Sequence, residues 1–85
     1  MPRAKVTRSR KAKGGRLILG LYGPSIGFQP VEEVIRAIRR GAVGYYVRAG
    51  SWETDVRVEE ENGALVLVST KDVLSPNNLE NLPDY

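Results

Sequence analysis

The stretch Pro30–Val47 constrains this chain most, because it reads as a short helix, a glycine stop and an apolar strand in immediate succession. Proline has φ held near the helical value, and it lacks an N–H where a helix start would leave one unpaired. The helix is therefore expected to begin at Pro30. Glu32 and Glu33 fall in the first turn and Arg39 and Arg40 in the last, each at the helix end whose dipole favours its charge. Gly41 follows as a residue able to take the left-handed conformation that ends a helix. Val31, Val34, Ile35 and Ile38 recur at i, i+3, i+4 and i+7, with Ala42 extending the stripe, while Glu32, Arg36 and Arg39 fall away from it. Residues 30–40 would make a helix about 16 Å long. A helix so short is marginal alone, so its stripe must dock on a sheet, expected to include Val43, Tyr45 and Val47.

The remaining elements are placed around that unit. Residues 3–10 alternate, Ala4 and Val6 against Arg3, Lys5 and Thr7, and Lys13-Gly14-Gly15-Arg16 is a tight-turn signal leading to the apolar run Leu17–Leu21. Residues 1–13 thus read as a basic edge strand or a flexible arm, since lysine and arginine protect a sheet edge from unwanted pairing. Gly23-Pro24-Ser25-Ile26-Gly27 reads as a connection into the helix, because it has neither the Walker nor the dinucleotide spacing of a phosphate loop. Val43–Arg48 is a strand, and Thr54–Glu60 is another, with Val56 and Val58 inward and Asp55, Arg57 and Glu59 outward. Asn62-Gly63 closes a hairpin into Ala64–Val68, which is apolar on both faces and reads as a central strand. Residues 75–85 form an irregular tail pinned by Leu79 and Leu82.

The expectation is a single α+β domain over residues 1–85. It has an antiparallel sheet of four to five strands and one helix packed on one face, in the order β-β-α-β-β-β. The expected core is Val6, Ile18, Val34, Ile35, Ile38, Val47, Val56, Val58, Leu65, Leu67 and Leu79.

The order of these features resembles a bacterial family of domains of unknown function, number thirty-eight ninety-two in its naming series. The likeness is carried by the glycine-separated first hairpin, Glu33-Val34-Ile35 with Ile38 and Gly41, Tyr45-Tyr46-Val47, Thr70, and Asn78-Leu79 with Leu82-Pro83. It runs through nearly the whole chain. Members of that family often carry a cysteine after the Leu-Pro pair, where this chain has Asp84-Tyr85, so no terminal thiol role carries over. The resemblance implies the order of elements and a bacterial or phage setting, and it implies no activity.

Composition narrows the chemistry. The chain has no cysteine, hence no disulfide and no thiolate chemistry, which fits a reducing cytoplasm. It has no histidine, which removes histidine-based triads, histidine–metal sites and any histidine switch. No apolar run approaches the roughly 20 residues that cross a bilayer, and no apolar segment of a secretory signal follows the basic start. Glu53 and Asp55, flanking Thr54, could serve as an acid–base pair, but residues two apart on a strand share a face and read here as solvated charges. Glu59-Glu60-Glu61 lacks the spaced oxygen ligands of a calcium loop and reads as the solvated end of a hairpin. A non-enzymatic protein without cofactor or metal is expected.

Charge is unevenly spread. Residues 1–16 hold Arg3, Lys5, Arg8, Arg10, Lys11, Lys13 and Arg16 and no acid, which leaves six bases against ten acids in residues 17–85. Asymmetry of this kind signals either nucleic-acid contact or, equally, a solvated, partly frayed terminus. The candidate contact set adds Arg36, Arg39 and Arg40 of the helix and an exposed aromatic, Trp52 or one of Tyr22, Tyr45 and Tyr46, on which bases could stack. Tyr45 and Tyr46 are adjacent in a strand and face opposite ways, so one belongs to the core. Trp52 either folds back as a lid over the sheet edge, the reading preferred here, or stands exposed as a binding hot spot. The two functional expectations are a small module touching DNA or RNA through its basic N-terminal segment, and a protein-interaction or homodimerisation module.

Overall fold

The structure, a computed structural model, describes residues 2–13, 17–70 and 75–85. In chain order its elements are β1 (Arg3–Lys5), β2 (Arg8–Lys11), β3 (Ile18–Gly23), β4 (Gly27–Pro30), α1 (Val31–Arg39), β5 (Gly44–Ala49), β6 (Trp52–Asp55), β7 (Arg57–Glu61) and β8 (Ala64–Val68). A 3₁₀ turn at Leu79–Asn81 follows. The fold is α+β, with one helix and eight strands in three small sheets ordered β1-β5-β6, β2-β3-β4 and β7-β8 among the described residues.

This differs from one sheet of four or five strands in the order β-β-α-β-β-β, and the divisions have local causes. The basic N-terminal segment, expected as one edge strand or a flexible arm, is two strands, each at the end of its sheet's order. β1 runs parallel to β5, β2 runs antiparallel to β3, and the chain passes between sheets at Val6 and Thr7. There the Val6 N–H donates to the Tyr46 carbonyl and the Thr7 N–H to the Tyr22 carbonyl, so no backbone donor is lost in the crossing. The stretch expected as one strand from Thr54 to Glu60 is interrupted at buried Val56, whose N–H donates to the Tyr45 carbonyl. Gly23–Gly27 is a hairpin turn between β3 and β4 rather than a direct entry to the helix, and Pro30 ends β4.

Pro30 is the cap preceding the helix, with ψ at 154°, and the first helical residue is Val31. At the other end Gly41 has φ of 70°. The Gly41 N–H donates to the Ile38 carbonyl and the Ala42 N–H to the Ala37 carbonyl, the two bonds of a Schellman stop. The apolar stripe docks as expected. Val34 is fully buried, with Val31, Ile35, Ala37 and Ile38 packed around it.

A β-bulge shapes the core under that stripe. Arg10 pairs with Gly20 but Lys11 pairs with Ile18, which leaves Leu19 without a partner. Ile18 and Leu21 are three apart, so an unbroken strand would turn one of them outward. The extra residue lets both reach the core. Val6, Ile18, Val34, Val47, Val56, Leu67 and Leu79 are buried and Ile35, Ile38 and Val58 half-buried, in line with the sequence; Ala4, Leu21 and Tyr45 join them. Leu65 does not, because β8 pairs only with β7 among the described residues and is an edge, not a central strand. The Asn62-Gly63 turn forms as expected, with positive φ at both positions.

The tail from Ser75 is pinned by more than its leucines. Leu79 is buried and Leu82 half-buried, and two buried serines satisfy the backbone between them. Ser9 Oγ donates to the Leu79 carbonyl at 2.7 Å and Ser69 Oγ to the Asn77 carbonyl at 2.6 Å. No helix among the described residues is long and apolar enough to cross a membrane.

Candidate nucleic-acid interface

The sheet β2-β3-β4 has an inner face and an outer one, and its register assigns side chains to each. Ser9, Leu21 and Gln29 form one cross-strand row, with Ser9 and Leu21 fully buried. The next row, Arg8, Tyr22 and Phe28, must therefore point outward. Beside it lies the row Arg10, Gly20 and Pro30. Glycine at position 20 leaves room for the Phe28 ring to lie across the strand, since a Cβ there would be 2.5 Å from Phe28 Cε1. The outer face is thus an aromatic pair flanked by two arginines on the neighbouring strand.

Tyr85 completes the cluster. Its ring stacks on Tyr22 at 4.8 Å between centroids and on Phe28 at 4.9 Å, with planes 18° and 9° from parallel. The segment that carries it adds to the free edge of β2. The Ser9 N–H donates to the Pro83 carbonyl, the Tyr85 N–H donates to the Ser9 carbonyl, and Asp84 bridges to Ser9 in parallel.

The cations named from the sequence divide into engaged and unengaged groups. Arg3 donates to Asp55 at 2.7 Å and to Glu53 at 3.0 Å, and its guanidinium lies 4.4 Å from the Tyr46 ring centre. These hydrogen bonds, Asp55 first and then Glu53, raise the Arg3 pKa further above its ordinary value. The two carboxylates are therefore held by a cation rather than merely solvated. Lys11 pairs with Asp84 at 2.7 Å and also donates to the Leu82 carbonyl at 2.9 Å. The Lys11 hydrogen bond, with its charge, holds the Asp84 carboxyl below its usual pKa. Arg8 donates to the Asp84 carbonyl at 3.3 Å and makes no ion pair among the described residues. Lys5, Arg10, Lys13, Arg36, Arg39 and Arg40 are exposed and carry no ion pair among the described residues. Arg16 lies outside the described residues.

These cations do not form one surface. Helix α1 packs on the inner side of β3, where Val34 and Leu21 share the core, so its polar face with Arg36, Arg39 and Arg40 looks away from the outer face carrying Arg8 and Arg10. Trp52, in β6 of a different sheet, is 71 % exposed and is not a lid over the sheet edge. Its carbonyl is held instead, accepting a hydrogen bond from Asn77 Nδ2. Tyr45 is the core member of the tyrosine pair, its hydroxyl donating to Gln29 Oε1 at 2.6 Å. Burial first, and the charge of Glu33 second, push its pKa up.

Phe28 and Tyr85 were absent from the sequence-derived set. The signal for Phe28 was present: Tyr22 and Phe28 flank the Gly-Pro-Ser-Ile-Gly turn symmetrically and become cross-strand neighbours once that turn closes a hairpin. Nothing local marks Tyr85, whose place depends on the return of the tail to β2. Comparisons with protein-family models, with curated proteins and with solved structures give no match.

Proposed function

We propose that this protein is a non-enzymatic module that binds single-stranded nucleic acid on the outer face of its basic N-terminal strands. Arg8 and Arg10 meet phosphates and the Tyr22–Phe28 pair meets bases. The observation that carries the reading is the cross-strand row Arg8, Tyr22, Phe28, which sets flat rings beside cations on an outward sheet face. Single strands suit such a face better than a duplex, because stacking needs bases that are free of their own stack. Arg3 leaves the contact set, since Glu53 and Asp55 occupy it, Lys11 is paired with Asp84 of the tail, and Lys5 and Lys13 remain as outlying cations. The absence of histidine and cysteine, and the Arg3 clamp on Glu53 and Asp55, favour binding over catalysis. A cytoplasmic setting belongs to the same reading, supported by a core built without cysteine.

The test is fluorescence anisotropy with a labelled oligothymidylate at about 50 mM and about 200 mM salt. Affinity should fall with salt. Replacing Arg8 and Arg10 by alanine should weaken binding and flatten the log–log salt slope by about 1.4, at roughly 0.7 per phosphate contact on a single strand. Absence of binding at low salt, or binding indifferent to both arginines, rejects the proposal.

A second reading has its own observation. Leu17, Leu19 and Leu65 are exposed and, with Val31, line one open groove of about 840 Å³ at the edge of β8. Exposed leucines gathered at a strand edge that pairs with no further strand among the described residues favour self-association or a protein partner. Sedimentation across a concentration series tests it, and a monomer throughout removes the homodimer.

A further inference from the structure

We propose that Asp84–Tyr85 is an internal occupant of the nucleotide site, a carboxylate and a ring standing where a phosphate and a base would bind, and that a single strand displaces it. This rests on the reading of the outer face given above and adds to it the regulation of the same site.

Three contacts carry the inference. The Tyr85 ring stacks on Tyr22 and on Phe28 and is nearly parallel to both, as a base stacks on aromatic side chains. The Asp84 carboxylate, with its side chain 86 % exposed, sits 2.7 Å from Lys11 Nζ, an anion held at the surface by one cation. The Asp84 carbonyl accepts from Arg8, the arginine of the aromatic row. An anion on a lysine, an oxygen on an arginine and a flat ring on two aromatic rings are together the pattern of contacts one nucleotide makes with such a face.

The same segment is built to leave. Burial declines along the tail, from Leu79 in the core through half-buried Leu82 to exposed Pro83, Asp84 and Tyr85. Tyr85 keeps half of its surface in water despite two stacks. Beyond Leu82 the segment is held to β2 by two backbone hydrogen bonds, both to Ser9, and by its contacts with Arg8 and Lys11. Release of residues 83–85 would leave Val34, Leu21 and Leu79 packed while baring Tyr22, Phe28 and the Lys11 ammonium. A site occupied by its own chain shows a weaker apparent affinity, by the fraction of molecules in which it stands open.

The experiment titrates labelled oligothymidylate of about ten nucleotides into the full chain, its Tyr85→Ala variant and its Tyr85→Phe variant. Circular dichroism melts confirm that all three are folded. Tyr85→Ala should bind roughly tenfold more tightly than the parent, while Tyr85→Phe, which keeps the ring, should bind like the parent. In parallel, the Tyr85 ring-proton signals of the parent should move to the positions of a free tyrosine as oligonucleotide is added. Measurable binding that is unchanged or weakened in Tyr85→Ala, or Tyr85 signals that stay in place while the strand binds, overturns the occupant and leaves the nucleic-acid reading standing. No binding by any of the three overturns both.

Discussion

Gly20→Ala is the substitution that most directly probes the outer face. A Cβ at position 20 would meet the Phe28 ring, at 2.5 Å from Cε1 and closer still to Cζ, and would lie 2.8 Å from the Gln29 carbonyl oxygen. Carbon atoms in contact sit about 3.5–4.0 Å apart, so the methyl group fits only if the ring swings off the strand. Overpacking of this size costs about 1–3 kcal/mol. For a domain of this length each kcal/mol lowers Tm by about 4–8 °C. The variant should therefore melt at least a few degrees below the parent by circular dichroism. The ring's share can be separated in a double-mutant cycle. In a Phe28→Ala background the ring is gone while the Gln29 carbonyl remains, so Gly20→Ala should cost less there by about 0.5 kcal/mol or more. If it costs the same in both backgrounds, or nothing in either, Phe28 does not lie over β3 and the aromatic row is misplaced.

Other outcomes follow from the same structure. Leu21→Ala empties a fully buried position on the inner face and should cost about 2–5 kcal/mol in denaturant unfolding. Gly63→Ala meets no atom within 4 Å but must hold φ near 79°, so about 1–2 kcal/mol of pure backbone strain should register as a lower Tm. Tyr45 has a raised folded pKa, from burial and then from Glu33, so its contribution is full below the unfolded value of about 10 and is lost as pH rises through the folded one. Melts in alkali should show a loss above that pH that is smaller in Tyr45→Phe. Asp84 has a lowered folded pKa through Lys11, so its contribution is present above the unfolded value of about 4 and disappears as pH falls through the folded one. Acidification from about pH 4 downward should free the Tyr85 ring signals while the core amides stay protected.

Much of the local structure was legible because it depends on neighbours in sequence. The stripe Val31, Val34, Ile35 and Ile38, the Gly41 stop and the Asn62-Gly63 turn need only periodicity and backbone preference, and all three stand where the pattern put them. Leu65 looked central because Ala64–Val68 is apolar on both faces, yet whether a strand has one neighbour or two is not a property of that strand. The basic segment was legible as charge but not as surface. Arg3, Lys5, Arg8, Arg10, Lys11 and Lys13 are alike in sequence, while Glu53, Asp55 and Asp84 reach back from more than forty residues away to engage Arg3 and Lys11.

By itself the order of amino acids determined the helix and its glycine stop, the Asn62-Gly63 turn and the lack of histidine and thiol chemistry, because each follows from short-range sterics or from composition. Tertiary structure alone decided that β1 would lie parallel to β5, that a bulge at Leu19 would turn Ile18 and Leu21 to one side, and that Tyr85 would come to rest on Tyr22 and Phe28. Those arrangements join residues far apart in the chain, and their free energy comes from burial and pairing that exist only once the whole domain has closed.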